Sequence, residues 1–309
     1  MIDTDKTFDI KYIDASSICT FNRCPARYLF SRQLGLRMPY ENIRGVDLTL
    51  IAPDFGTDIH LSIPYCYDAE NVDKACEVFD RAWNARSYGS DDKKRNCTRA
   101  RAMLESFRIM HSGGRSPYEV LHFPFVSPTE HAISDNEVPF LIDIGADLPA
   151  AGRIDVPVRW NSTGRTWACD YKTASEISSR YFDNFAFAPQ SVLYTLALSQ
   201  LMDERVDGMI IEALRVSHVN AETQMHFVHV QNHEIESFLR LARSTSSRIM
   251  SCNKQQKWPK KCTGCGPYSM FGFPSRICEY HSICASSDWR AGARIFRRTE
   301  PFHPFDMKE

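Results

Sequence analysis

Apolar residues recur along this chain with two different periods, and the changes of period divide it into sections. Over Asn71 to Met110 they return every three or four residues, with Val78, Phe79, Ala82 and Trp83 on one face and Ala100, Met103, Leu104 and Phe107 on another. This spacing predicts two amphipathic helices. The polar linker Gly89 to Arg95 joins them and Gly113-Gly114 closes the section. Upstream, Asp14-Ala15-Ser16-Ser17 offers capping side chains before a helical run. Pro25 then breaks or restarts that run after Cys24, and Asp54 to His60 opens a further helix with His60 one turn beyond Gly56.

Further along, the period drops to two. Tyr118 to Val126 and Pro139 to Leu148 read as strands, and Gly152 to Trp160 and Arg165 to Thr173 flank the turn Asn161-Ser162-Thr163-Gly164 as a β-hairpin. Helices over Phe185 to Met202 and His233 to Met250 bracket two more strands, Gly208 to Val216 and Thr223 to Val230. The expected class is α/β, with helices packed on a central sheet.

The hairpin carries the candidate chemistry. One arm holds Asp155 and the other ends with Asp170 and Lys172, which share a face of the strand while Tyr171 points away. An acid-any-Lys triplet alone says little. There are five, at Asp9, Asp91, Asp92, Asp170 and Asp306, but only the one at Asp170 closes an apolar strand and follows another strand bearing an acid. Two carboxylates and an ammonium at one end of a sheet suit a divalent cation and an attacking water. The plainer reading is a solvated, charged strand end. Glu119 is a further acid that could lie near them, and Gln190 and Tyr194 stand four apart on one helix face.

Composition narrows the partners. With 309 residues, 43% of them hydrophobic, and a net charge of −1, the chain can build a core without staples but has no global field for nucleic acid, so any such contact needs a local basic groove. Arg23, Arg27 and Arg153 are candidates for phosphate contact, with solvated surface as the default for each. No run of about 18 apolar residues and no apolar signal core at the N-terminus is present, which predicts a cytoplasmic protein without a membrane span. A phosphate loop of the Gly-x4-Gly-Lys-Ser/Thr type is also missing, which argues against an ATP-driven motor. Eleven cysteines without a secretion signal point to free thiols, not disulfides. Cys66, Cys76, Cys97 and Cys169 read as small core residues. Cys262, Cys265, Cys278 and Cys284, near His281, crowd into Gly- and Pro-containing loops able to wrap a metal, with structural zinc or an iron–sulfur cluster both compatible.

In order, Ser17 with Cys24-Pro25-Ala26-Arg27-Tyr28, Gly56-x3-His60, Gly152-Arg153-Ile154-Asp155, Asp170-Tyr171-Lys172, Gln190-x3-Tyr194 and the late cysteines resemble the PD-(D/E)XK nuclease superfamily. The likeness is to its RecB-like exonucleases, which include CRISPR-associated and phage-encoded members with an iron–sulfur cluster. The resemblance implies a restriction-endonuclease-like α/β core within a single nuclease domain over 1–309. An N-terminal helical section would occupy 1–115, the core 116–250 and a Cys-rich segment 251–309. It implies that His60, Asp155, Asp170 and the Tyr171 main-chain carbonyl hold Mg²⁺ or Mn²⁺, that Lys172 orients the attacking water, and that Gln190 and Tyr194 face the site. It also implies a 4Fe-4S cluster on Cys24, Cys265, Cys278 and Cys284, with Cys262 the alternative to Cys265 and Cys19 a lesser alternative to Cys24. The expected activity is hydrolysis of DNA, from ends or on single strands, with a helicase or recombination partner on a separate chain. Rival readings are a non-catalytic DNA-binding or scaffold subunit and a zinc-binding regulatory protein.

Overall fold

The computed structural model describes residues 7–38, 50–67, 70–86, 93–122, 137–216, 221–261, 278–286 and 288–300. In chain order these form α1 (Ala15–Arg23), α2 (Pro25–Tyr28), a π-helical turn (Leu29–Gln33), β1 (Leu36–Arg37), α3 (Ile51–Ser62) and a 3₁₀ turn (Ile63–Cys66). Next come α4 (Asp73–Ala85), α5 (Cys97–His111), β2 (Tyr118–Val120), β3 (Val138–Ile142), β4 (Ala150–Ile154), β5 (Val156–Trp160) and β6 (Thr166–Ala174). The chain continues through α6 (Ser179–Asp183), α7 (Pro189–Met202), β7 (Val206–Arg215), β8 (Thr223–His229), α8 (Asn232–Gln255), α9 (His281–Ala285), α10 (Trp289–Ala293) and β9 (Arg297–Arg298). No described helix is long and apolar enough to cross a membrane.

Strands β2-β5-β6-β7-β8 form a mixed sheet in which only β6 and β7 run parallel. Parallel neighbours need a crossover, and α7 supplies it. The central pair is recognisable from its residues: Trp167 to Tyr171 and Gly208 to Leu214 are buried along their whole length, so both faces of each strand are covered. The hairpin between β5 and β6 is closed by Trp160 N–H to Arg165 O at 2.8 Å, and Gly164 takes the positive φ of +67° that its turn requires.

The chain divides into two compact units. One comprises Tyr40–Phe140 and Arg153–Ile235, and its core sets Phe55 and Ile59 of α3, Phe79 and Trp83 of α4 and Phe107 of α5 with Trp167, Cys169, Tyr171, Ile210 and Leu214 of the central strands. The mixed sheet with flanking helices is the expected α/β architecture. The other comprises Met1–Pro39, Leu141–Gly152 and Glu236–Glu309, with a smaller core of Cys24, Phe30, Leu36, Tyr280, Ile283 and Phe296. Asp14 caps α1 as expected, its carboxylate accepting the Ser17 N–H at 2.5 Å, and Pro25 starts α2.

Three boundaries depart from the sequence pattern. The arm Gly152 to Trp160 is two strands, β4 paired with β3 and β5 in the main sheet, with Asp155 at the break between them. The strand expected over Pro139 to Leu148 stops at Ile142, because Asp143 takes the Gly145 N–H at 2.7 Å in a turn. The helix expected from Phe185 begins at Pro189, whose fixed φ suits a first helical position, and 185–188 is a turn. Of the strand expected from Tyr118, residues 123–126 lie outside the described residues, as does most of the linker Gly89 to Arg95.

The α3 helix is anchored by a charge. Asp58 is completely buried and accepts Arg86 Nε at 2.8 Å and Nη2 at 2.6 Å, a two-pronged pair joining α3 to the end of α4, and Arg86 also reaches Asp54 at 3.0 Å. Arg86→Met would strand the Asp58 charge in the core. The expected loss is about 3 kcal/mol of stability by urea unfolding. A loss below about 1 kcal/mol would show that the anchor is dispensable.

Candidate functional site

The site lies on the C-terminal half of β6, beyond the last residue paired with β5. Gly56 lets α3 approach this end closely, since a Cβ there would stand 3.1 Å from Thr173 Oγ1. One turn later His60 projects from the same helix, half-buried, with Nδ1 3.5 Å from Asp155 Oδ2. The β5–β6 pairing ends at Val156 opposite Cys169, and one residue further Asp155 turns its side chain to accept the Tyr171 N–H at 2.8 Å. On the other face, Asp170 is ion-paired with the Lys172 ammonium, and Gln190 on α7 donates to Asp170 Oδ1 at 3.0 Å.

Burial dominates the electrostatics. It pushes Asp155 up to about 6, against the pull of Lys172 and the Tyr171 N–H. It also raises Asp170, again opposed by Lys172. His60 is lowered to about 4, by burial first and by the Lys172 charge second, so its imidazole is neutral near pH 7. Burial would lower Lys172, but the Asp170 and Asp155 carboxylates outweigh it and raise the ammonium above its ordinary value. Another acid acts here too. Glu137, bonded to Arg153 at 2.7 Å, adds its charge to both Asp155 and His60.

These donors are of the type a divalent cation accepts: a neutral imidazole and two carboxylates, of which Asp170 has its enclosed Oδ2 held against the Lys172 ammonium. As the side chains stand, they meet in pairs. Among the described residues no three His, Cys, Asp or Glu groups are gathered tightly enough to enclose an ion.

The other expected residues have surroundings of their own. Tyr194 packs edge-to-face on Phe140 at 5.7 Å, one turn beyond Gln190. Glu119 is exposed on β2 opposite Arg159. Arg27 is paired with Glu279 at 2.9 Å. Cys24 is buried, with Cys278 and Cys284 packed against the same apolar cluster, whereas Cys262 and Cys265 lie outside the described residues.

Residues 13–285 match the sequence model of the PD-(D/E)XK nuclease superfamily. The chain belongs to that superfamily. No curated protein matches it. Among solved structures, this PD-(D/E)XK chain is similar to a Eubacterium rectale protein described as an exonuclease, at TM-score 0.46 and 13% identity over 82% of this chain and 86% of that one. It is also similar to the protein SSO0001, at TM-score 0.28 and 14% identity over 61% and 72%.

Beneath the site, this nuclease fold hides a polar network that the hydrophobic pattern did not reveal. Glu212, fully buried on β7, accepts Tyr118 Oη at 2.7 Å and faces His111 Nε2 at 2.6 Å. Tyr67 links the Tyr118 hydroxyl, at 3.0 Å, to that of Tyr171. Burial holds all three phenols well above their ordinary values, so they remain protonated. The readable signal was an acid inside the apolar run Met209-Ile210-Ile211-Glu212-Ala213-Leu214.

A proton on Asp155 below about pH 6 competes with any cation at this site. Mn²⁺ affinity of the purified chain, measured calorimetrically, is expected to weaken on acidification, by up to about tenfold per pH unit once below that value. A flat affinity between about pH 5 and pH 7 would remove Asp155 from the binding site.

Proposed function

We propose that this nuclease is a metal-dependent deoxyribonuclease that hydrolyses phosphodiester bonds from DNA ends, with single strands as a substrate. The observation that carries the reading is the pair Asp155 and Asp170 beside β6 where β5 leaves it, one held by the Tyr171 N–H and the other by Lys172 and Gln190. His60, Asp155, Asp170 and the Tyr171 main-chain carbonyl would hold Mg²⁺ or Mn²⁺, which would supply Lewis-acid activation of water and offset charge on the phosphate. The remaining work belongs to the side chains. Lys172, kept as an ammonium by its two carboxylates, orients the attacking water and stabilises the charge that develops on the phosphoryl oxygens. Gln190 fixes Asp170 through Oδ1 while Oδ2 faces Lys172, so the carboxylate is held in one orientation. Neutral His60 adds a lone pair without repelling a cation. Tyr194, on the same helix face as Gln190, is assigned to the path of the strand.

The same reading gives the other compact unit a 4Fe-4S cluster on Cys24, Cys265, Cys278 and Cys284. What supports it is that Cys24, Cys278 and Cys284, from opposite ends of the sequence, share one apolar cluster. Also part of it are a single nuclease domain over 1–309, a cytoplasmic location, and a helicase or recombination partner on another chain.

Asp170→Ala is expected to abolish Mn²⁺-dependent cleavage of labelled linear DNA, and Lys172→Met to slow it by about 10²- to 10³-fold, each with an unchanged circular dichroism spectrum. Covalently closed circular DNA should resist the parent. Parent-level cleavage by Asp170→Ala would refute the site assignment, and DNA binding without cleavage by the parent would favour a scaffold subunit. Protein purified without oxygen is expected to be brown and to contain iron and acid-labile sulfide. Colourless protein carrying one zinc would replace the cluster with a structural zinc site.

A further inference from the structure

Phe187 combines two features that cost the fold, a positive φ and an exposed aromatic ring. It is the second central residue of the turn 185–188, closed by Ala188 N–H to Phe185 O at 3.2 Å and pinned by buried Ser191, whose Oγ donates to the same carbonyl at 2.9 Å. Its φ is +58°, a turn position that glycine or asparagine takes readily and a bulky side chain rarely does. The side chain is also 76% exposed, more than any other large hydrophobic among the described residues. Folding alone would favour glycine there. A strained backbone kept in place to hold an aromatic ring in water points to a use for the ring.

Its place in the chain says what that use is. Pro189 starts α7 two residues later, and Gln190, whose amide holds Asp170, is three residues on, at most about 11 Å along the backbone. On the other side of the turn, Tyr181 packs edge-to-face on Phe185 at 5.4 Å and lies within the field of Lys172 and Asp170. The exposed ring therefore belongs to the turn that leads directly into the helix holding Asp170 through Gln190.

We propose that Phe187 is a stacking platform for an unpaired nucleobase of the DNA strand, beside the phosphate under attack. This rests on the nuclease reading above and adds a strand-binding residue to it. Every base has a π-face, so an exposed aromatic ring stacks with little regard to sequence, whereas bases within a duplex are already stacked on their neighbours. The platform thus selects a single strand or a frayed end. Because the turn is pinned by Ser191, little is lost in ordering the ring when the base arrives.

The test uses the full chain and a fluorescent single-stranded oligonucleotide, with binding read by anisotropy in chelator and cleavage read separately in Mn²⁺. Phe187→Ala is expected to weaken binding and raise KM by about tenfold, with kcat at saturating DNA unchanged. An oligonucleotide of abasic sites should bind parent and Phe187→Ala alike, and Phe187→Trp should keep parent affinity. Phe187→Gly supplies the control for structure: it relieves the positive φ, so its thermal midpoint should rise while its DNA affinity falls. Equal binding of the intact oligonucleotide by parent and Phe187→Ala overturns the platform and leaves the nuclease reading standing if the parent cleaves. Phe187-dependent binding by a parent that does not cleave sustains the platform and overturns the nuclease reading.

Discussion

One main-chain hydrogen bond, from the Tyr171 N–H to the Asp155 carboxylate, sets the geometry of the acidic end of the sheet. It is available only because β4 and β5 part company at Asp155 and the β5–β6 ladder has already ended at Val156. The side chain takes a donor in place of a ladder partner. That places one carboxylate at β6 from the neighbouring strand, while the period of two places Asp170 and Lys172 on the opposite face from Tyr171. Any longer pairing of β5 would satisfy the same N–H with a carbonyl and turn Asp155 elsewhere.

The fold burdens this end of the strand with charge that it does not fully compensate. Both carboxylates are driven up and the imidazole is driven down by the same cause, removal from water. A neighbouring ammonium answers part of that, since Lys172 is raised by the acids it faces. Asp155, Asp170 and Glu137 face Lys172 and Arg153, three acids to two cations, so a further positive charge would be favourable, which is the electrostatic sense of a metal-dependent reading. Directly below, the Tyr171 ring is tied through Tyr67 and Tyr118 to Glu212, so the residue whose N–H holds Asp155 is fixed on its other side by a satisfied polar network. The strand is thus constrained from both faces at the position where its main chain is used.

Reading the sequence recovered the order of elements well where the period was long and the signal local. The turn at 161–164 with the strands beside it, the helices around Phe79 and Phe107, the cap at Asp14 and the restart at Pro25 all depend on neighbours within a few residues. Lys172, Asp170 and Gln190 were readable as candidates because alternation and helical spacing decide which side chains share a face. The break at Asp155 was not readable, since Gly152 to Trp160 alternates continuously and nothing in it says that its halves pair in different sheets. Helical spacing put Tyr194 on the face of Gln190, but it could not name Phe140, a strand residue more than fifty positions away, as the ring it packs on.

The residues by themselves determined an α/β fold, the sharing of one strand face by Asp170 and Lys172, and the absence of an overall charge field, because each follows from local periodicity or composition. Only the tertiary structure decided that Asp58 would be sealed in by Arg86, that Glu212 would sit in a closed network with His111 and Tyr118, and that Phe187 would stand exposed on a positive φ. The physical reason is the same in each case. Burial, pairing and backbone strain depend on what long-range packing brings alongside a residue, and a one-dimensional pattern carries the propensity to be buried but not the identity of the partner.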